Sequence, residues 1–573
     1  MNSIDNNLPV FTPENLFNED PIGKLFIKKW LGEKYSSLEK TFIEFGECAA
    51  LASPLSMKAD QNPPQIKKTK VNGSLIDTIT YDNAYHELEK LSYGKGIVSI
   101  KYDPDWMDVY SSVRHLLGFS LGYYFAQSEM SLYCPICMTD GVGRVLEKHL
   151  EKYPDDEIVK KALTHISSKD LNELWQGAMF LTEKQGGSDV GANKVEAHKK
   201  DNQWYLNGEK WFCSNVDAQA VLALARMPGS ASGTQGLGLF LILRYIPENN
   251  SATIHINKLK DKLGVKSMPT GEVNLVNTKA HLISGEGEGL KSMLEMVNFS
   301  RVYNSVASVA IIRRAILEAL VFGDNRMAFN KKLNEHPLWR SSIADLIAEH
   351  IGIMTLVFET IRLLDKVDNG GNKKELQLLR LMTAFSKAIS AKLSVFCASE
   401  SMELIGGNAY IEDTILPKLL RDAQVLPIWE GTTNILTLES LRSFHKQTHL
   451  ILFEKIERIL SSIKPIEGFV NYVGILEKRL SSNKNLIESL LNKNTEEQQS
   501  LSRECMEKLS RTLTLGLLLE NAIDPNLREV CLAAFLRLQN RNYCISPLCS
   551  GSIIELQHTQ EVLIDISYIK NNF

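Results

Sequence analysis

Apolar positions change their spacing along this chain, and each change predicts a change of architecture. Over residues 106–124 and 143–153 they recur at three and four, which lays one helix face against a core, so the first 170 residues read as mainly helical. Ahead of these, residues 56–75 carry Lys58, Lys67, Lys68 and Lys70 around Pro63 and Pro64 with little periodicity, which predicts an exposed loop. From about 177 to 280 strand-like runs take over. Gln203-Trp204-Tyr205-Leu206, Asn207-Gly208 and Glu209-Lys210-Trp211-Phe212 predict a hairpin about an Asn-Gly type I′ turn. Residues 221–225, 238–243, 252–256 and 272–275 continue without helical intervals, so an antiparallel barrel or sandwich is expected rather than a parallel nucleotide-binding sheet.

After residue 290 helical spacing returns. Val302, Val306, Val309, Ile312, Ile316 and Leu320 form one stripe, and Ile343, Ile347, Met354, Phe358 and Ile361 another. Asp368-Asn369-Gly370-Gly371-Asn372 breaks the pattern before Leu378, Met382, Phe385 and Ile389 start a third, and a helical bundle buries all three most simply. Amphipathic runs at 450–463, 473–480 and 503–519 add a further helical layer. The expected segments are a helical domain over 1–176, a β domain over 177–285, a bundle over 286–445 and a helical extension over 446–573.

With 573 residues, 44% of them hydrophobic and 23% charged, the chain is long and apolar enough to bury sizeable cores. Lys plus Arg (64) against Asp plus Glu (68) gives a formal charge of −4, which removes a global electrostatic reason to seek DNA or anionic lipid. In the extension Glu496, Glu497, Glu504 and Glu507 intermingle with Lys493, Arg503, Lys508 and Arg511, so charge does not support DNA as a partner there either. There is no run of eighteen apolar residues, and no membrane partner is expected. Asp5, Glu14, Glu19 and Asp20 without an early Arg do not resemble a transit peptide, and Lys570-Asn571-Asn572-Phe573 does not resemble a peroxisomal address, so a cytoplasmic location is expected. Nine irregularly spaced cysteines fit reduced thiols, and Cys134-Pro135-Ile136-Cys137 reads as packing, with no metal site expected.

Three segments carry polarity that packing alone explains poorly. In Leu181-Thr182-Glu183-Lys184-Gln185-Gly186-Gly187-Ser188-Asp189-Val190, paired glycines free the backbone for close approach by a ligand while Thr182 and Ser188 add hydroxyls; alone, it reads as a surface turn. Trp211-Phe212-Cys213-Ser214-Asn215 sets aromatic rings beside a hydroxyl at a strand end. Arg421-Asp422-Ala423-Gln424 and Pro427-Ile428-Trp429-Glu430-Gly431-Thr432-Thr433-Asn434-Ile435 place an acid at an apparent helix start, where the dipole favours it.

Taken in this order, with Gly406-Gly407-Asn408 between the second and third, these segments resemble the acyl-CoA dehydrogenase family over residues 100–445. The long amino-terminal part, the Cys134-to-Thr139 wording and the helical tail look most like its AidB, or adaptive-response, branch. The resemblance implies an α domain, a central antiparallel β domain and a four-helix bundle holding FAD between the last two, commonly in a homotetramer. By position it implies that Met179, Leu181, Thr182, Gly187 and Ser188 line the flavin, that Phe212 to Ser214 covers the isoalloxazine with Ser214 near N5, and that Arg326 grips FAD phosphate across a subunit interface beside Phe329. It further implies flavin contacts from Glu403, Gly406, Gly407, Trp429, Thr432 and Asn434. Glu430 is the implied catalytic base, in a dry pocket where burial raises a carboxyl's pKa. It would remove the α proton of an acyl-CoA thioester while hydride passes to flavin N5, with an electron-transfer flavoprotein as reoxidant, a role in fatty acid metabolism. Phe212, Ser214 and Trp429 stand where Trp, Thr and Tyr are usual, and Lys184-Gln185 replaces a frequent Pro-Gly. The alternatives are a protective, DNA-associated flavoprotein with low turnover, an acyl-CoA oxidase, or a tail that serves assembly.

Overall fold

A computed structural model describes residues 9–73, 75–244, 254–285, 287–541 and 562–564. By internal packing the chain forms two discontinuous compact units, Leu51–Ser111 with Ser128–Tyr303, and Met1–Ala50 with Ser112–Gln127 and Asn304–Phe573. The expected helical extension therefore belongs to the same unit as the bundle.

Among the described residues, the main sheet of the first of these units has seven strands: Gly177–Phe180, Glu196–Lys200, Gln203–Ser214, Ala220–Arg226, Leu237–Leu243, Ile254–Leu259 and Thr270–Leu282. Pairing runs from Ala220–Arg226 through Glu196–Lys200, Gln203–Ser214, Thr270–Leu282 and Leu237–Leu243 and returns to the start, closing the sheet on itself. Closure removes the edges that would otherwise expose unpaired backbone. It is antiparallel apart from the short Gly177–Phe180 strand, which runs parallel to Ala220–Arg226, and one parallel bridge from Glu196 to Arg226. Alternate residues, among them Phe180, Leu206, Cys213, Phe240, Ile256 and Val273, fill its core. Of the expected 252–256 strand, 252 and 253 lie outside the described residues; the strand observed begins at Ile254.

Two expectations here are corrected. The Asn207-Gly208 turn does not exist, because Gln203–Ser214 is one strand. Asp201 and Asn202, both left-handed at φ 49° and 62°, make the turn to Glu196–Lys200 instead, and short polar side chains tolerate that conformation. Gly208 sits at a register shift against Thr270–Leu282 at φ 136°, where a Cβ would meet Val195 Cγ2 at 2.9 Å. Nor is 56–75 a loop. Its beginning completes the Tyr35–Gln61 helix, and Gln65–Thr69 pairs antiparallel with Leu75–Thr80. The lysine run hid a strand because its charges lie on an exposed edge, while Lys68 reaches across to buried Asp77 at 2.6 Å and to the Ile256 carbonyl.

In the other unit Pro337–Asp368, Lys373–Ile405, Ile415–Ala423 and Thr433–His445 accompany the end of the long Gly289–Asn325 helix. The break at 368–372 falls where the sequence places it, with Asn372 and Glu375 forming a capping box. The helix expected over 106–124 is interrupted by a 3₁₀ turn at Ser111–Val113, and Arg114–Ala126 restarts under a cap supplied from afar: Asp365 accepts the backbone N–H of His115 and Leu116 at 2.8 and 2.9 Å. The stretch at 143–153 lies within Tyr133–Lys152, whose Cys134 and Cys137 are both buried.

The tail helices Thr448–Ile463, Val470–Leu491, Thr495–Asn521 and Arg528–Leu538 lock onto the bundle through buried charge. Arg511 grips Glu349 with two bonds of 3.0 and 2.8 Å, and Arg537 meets Asp345 at 2.6 Å. A paired guanidinium fork satisfies charges that would be costly to bury alone. Pro337–Asp368 and Lys373–Ile405 are long and apolar enough to cross a membrane by composition, but 83% of each apolar window is buried inside the protein, which accounts for the composition.

Candidate functional site

In the β unit, the segment after Gly177–Phe180 is irregular and organised from within by one carboxylate. Glu183 accepts the backbone N–H of Lys194 and Val195 at 2.6 and 3.1 Å, Gln185 Nε2 at 3.0 Å and Lys210 Nζ at 2.8 Å. Both ends of the ion pair are buried, at 3% and 0% exposure. Burial alone would raise the Glu183 carboxyl, but the Lys210 ammonium and the other donors hold it below its ordinary value, so it is a fixed anion beneath the loop. Asn193 Nδ2 and the Trp211 N–H tie down the Leu181 and Thr182 carbonyls at 3.0 and 2.9 Å.

That clamp positions the predicted residues. Met179, Leu181, Thr182 and Gly187 are half-buried and Ser188 is exposed. A Cβ on Gly187 would stand 2.5 Å from Thr182 Oγ1, so glycine is what lets the loop fold over the hydroxyl. Among the described residues, neither the Thr182 nor the Ser188 hydroxyl is hydrogen-bonded. Cys213 points into the core while Phe212 stays 55% exposed, and Ser214 is half-buried with its hydroxyl 3.4 Å from that of Thr270. Lys260 lies 3.4 Å above the Trp211 ring and 5.0 Å from that of Phe212, a cation–π pairing that steadies this aromatic corner.

In the bundle unit the predicted residues fall into two places. Arg326 precedes a hairpin, Met327–Ala328 with Lys331–Lys332, whose tip residues Phe329 and Asn330 are left-handed at φ 51° and 61°. Arg326 is exposed without an ion pair among the described residues, and Phe329 is 93% exposed. His336 bonds back to the Ala328 carbonyl at 3.0 Å, and Trp339 Nε1 donates to the Leu404 carbonyl at 3.1 Å, so Glu403, Gly406 and Gly407 share this end of the bundle with Arg326.

Glu430 lies elsewhere. Against expectation it does not start a helix but sits at φ 56° in the turn after Ile415–Ala423, ahead of Thr433–His445. A non-glycine residue held left-handed costs roughly 1–2 kcal/mol and persists where its surroundings impose it. Those surroundings include two side chains absent from the predicted set: Asn304 donates to the Leu426 carbonyl at 3.1 Å, and Lys387, wholly buried, to the Gly431 carbonyl at 2.6 Å. Their 122- and 44-residue separations left no local signal. Glu430 is half-buried, and beside it the Trp429 indole N–H is buried without a partner. Thr432 caps the following helix by backbone alone, leaving its hydroxyl and the Asn434 amide exposed. From Lys387 to the end of its helix is about 27 Å at 1.5 Å per residue, so the Glu430 turn and the Arg326 end are not brought together within one chain.

Taken unit by unit, these features suit a flat polar cofactor: an exposed ring and unpaired hydroxyls on a glycine loop in the β unit, and in the bundle unit an orphaned indole donor at one place and an unpaired guanidinium at another. Among the described residues no cluster of His, Cys, Asp and Glu is arranged to hold a metal ion.

The chain matches the family models for the AidB amino-terminal domain over residues 6–169, the acyl-CoA dehydrogenase middle domain over 178–278 and the acyl-CoA dehydrogenase carboxy-terminal domain over 287–444. It is 34% identical to acyl-CoA dehydrogenase family member 11 of Caenorhabditis elegans over 464 residues, 79% of this chain and 75% of that one. It is 30% identical to AidB of Escherichia coli (strain K12), covering 69% and 71%. The crystal structure of C. elegans ACDH-11 in complex with C11-CoA superposes with a TM-score of 0.88 at 29% identity over 99% of this chain and 97% of the other.

Proposed function

Because this chain belongs to the acyl-CoA dehydrogenase family, in its AidB branch, we propose that it is an FAD-dependent acyl-CoA dehydrogenase whose base is Glu430. The observation that carries the assignment to Glu430 is its imposed left-handed turn beside an orphaned indole donor. The Glu430 carboxylate takes the α proton of an acyl-CoA thioester, and hydrogen bonds to the thioester oxygen, its own backbone amide among them, stabilise the enolate-like charge. When bound there, FAD would supply the hydride acceptor for the β carbon, so that the product would be a trans-2-enoyl thioester. Thr182 and Ser188 would offer hydroxyls to the flavin, Phe212 would shield its ring from water, and Ser214 would be its hydrogen-bonding partner near N5. Met179, Leu181 and Gly187 would line the ring system, while Trp429, Thr432 and Asn434 would hold the cofactor around the base.

The same reading makes the protein a cytoplasmic homotetramer of fatty acid metabolism, with an electron-transfer flavoprotein as acceptor. The distance between the Glu430 turn and the Arg326 end, about 27 Å along the helix, supports giving Arg326, Phe329, Glu403, Gly406 and Gly407 to the FAD of a neighbouring subunit. Guanidinium suits that task because its fork matches phosphate oxygens.

Anaerobic addition of an acyl-CoA panel to the purified flavoprotein tests the chemistry. Flavin absorbance should bleach in the wild type, while Glu430→Gln should keep FAD and lose about 10²–10⁴-fold in reduction rate. Equal rates in both proteins would remove Glu430 from its role.

A further inference from the structure

Lys387 lies inside the Lys373–Ile405 helix with no exposed surface, and its ammonium donates to the Gly431 carbonyl at 2.6 Å. Lysine is rarely buried, because removing an ammonium from water costs several kcal/mol. Where the only need is packing, an apolar residue of the same length serves better. The carbonyl it holds belongs to the residue following Glu430, and Gly431 is itself left-handed at φ 96°. Upstream the backbone is secured: Ile428 and Trp429 N–H both return to the Val425 carbonyl, and Asn304 holds Leu426. Downstream the helix begins only at Thr433. Between these anchors stand two consecutive left-handed residues, and the Lys387 bond fixes the peptide that closes them.

We propose that Lys387 is a positioning residue for the base, its buried ammonium holding the Gly431 carbonyl so that Glu430 stays in its left-handed turn and aims its carboxylate at the α carbon. This rests on Glu430 being the base, as proposed above. Lys387 touches no reacting atom and acts through the turn. A base displaced by about 1 Å loses roughly 10²-fold in rate while the thioester's remote binding is untouched, so the loss should fall on turnover and not on KM.

The test compares Lys387→Met, which keeps the stem and removes the donor, with Lys387→Arg, which keeps a charged donor. In the flavin-loaded full-length protein, anaerobic reduction by the best acyl-CoA should slow about 100-fold in the Met variant. FAD content and thermal midpoint should stay near wild type, KM should change less than about threefold, and the Arg variant should recover part of the rate. A crystal structure of the Met variant should show Glu430 out of the left-handed region. Wild-type reduction rates in the Met variant, an unchanged turn in its crystal structure, or loss of flavin and fold in step with activity would each overturn the proposal. If the wild type binds FAD yet no acyl-CoA reduces it, the dehydrogenase reading falls by itself, and the crystal structure of the Met variant still decides whether Lys387 sets the turn.

Discussion

The loop after Gly177–Phe180 and the turn ahead of Thr433–His445 both hold candidate site residues on irregular backbone, and both lean on a wholly buried lysine. They are supported in opposite ways. Glu183 organises its loop from within, taking the N–H groups of Lys194 and Val195 eleven and twelve residues away before it meets Lys210. The Glu430 turn is held from outside, by Asn304 and Lys387 on two other helices. A loop braced by its own carboxylate travels as a motif. A turn braced by distant helices exists only once the bundle has formed, so its geometry reports on the packing around it.

The sharpest way to break this contrast is Glu183→Ala. It strands the Lys210 ammonium and two backbone donors in the core, and should cost about 3–5 kcal/mol with loss of bound flavin. Urea unfolding measures it, and Glu183→Ala combined with Lys210→Met should recover part of the loss because no buried charge is then unpaired. Full stability in the single variant would show that the loop has other support.

Acid probes the bundle separately. Burial pushes the His350 imidazole down to about 3, against a raising effect from Asp20 and with a lowering one from Arg313. It hydrogen-bonds at 3.3 Å to Tyr123, whose hydroxyl donates to Asp20 at 2.7 Å. Unfolded histidine takes up a proton near 6.5 while the folded one does not, so between about 6.5 and 3 the unfolded state binds more protons. This group's contribution is thus full above 6.5 and shrinks as pH falls, by about 1.4 kcal/mol per pH unit. Thermal midpoints of His350→Gln measured across that range should fall less steeply than those of the wild type.

Smaller effects follow at the supports themselves. Asn304→Ala leaves the buried Leu426 carbonyl unpaired, about 1–3 kcal/mol, and should slow flavin reduction without loosening flavin. Gly187→Ala brings a methyl to 2.5 Å from Thr182 Oγ1. The hydroxyl must swing aside, which should cost about 1 kcal/mol and weaken FAD retention. Phe212→Ala removes an exposed ring and should leave the unfolding midpoint within about 0.5 kcal/mol while flavin dissociates faster. That last pair sharpens the comparison, since the loop and the neighbouring strand end would then show functional losses largely uncoupled from stability.

How much of this was legible depended on the range of the interaction that decided it. The break at 368–372 could be read because an Asn cap, a Glu three residues on and two glycines act within one turn. The hairpin was misplaced because two turn signals, Asp201-Asn202 and Asn207-Gly208, lie seven residues apart or less. Only pairing of Gln203–Ser214 with Thr270–Leu282 selects the first. The lysine-rich strand at 65–69 was missed because its partner charge is Asp77. Glu430 is visible as a residue type in its family context, but its turn reads locally as a helix start because nothing within a few residues announces a left-handed backbone.

The amino-acid order alone determined the alternation of helical, strand and helical stretches, the capping at helix ends and the identities of the chemical groups, because these depend on side-chain period and on contacts a few residues long. Tertiary structure alone decided which turn closes the hairpin, that the tail helices share a core with the bundle through Arg511 and Arg537, and that Lys210 and Lys387 are the hidden supports beneath two candidate sites. Each of those outcomes balances the cost of burying charge or backbone against a partner that only folding brings within 3 Å.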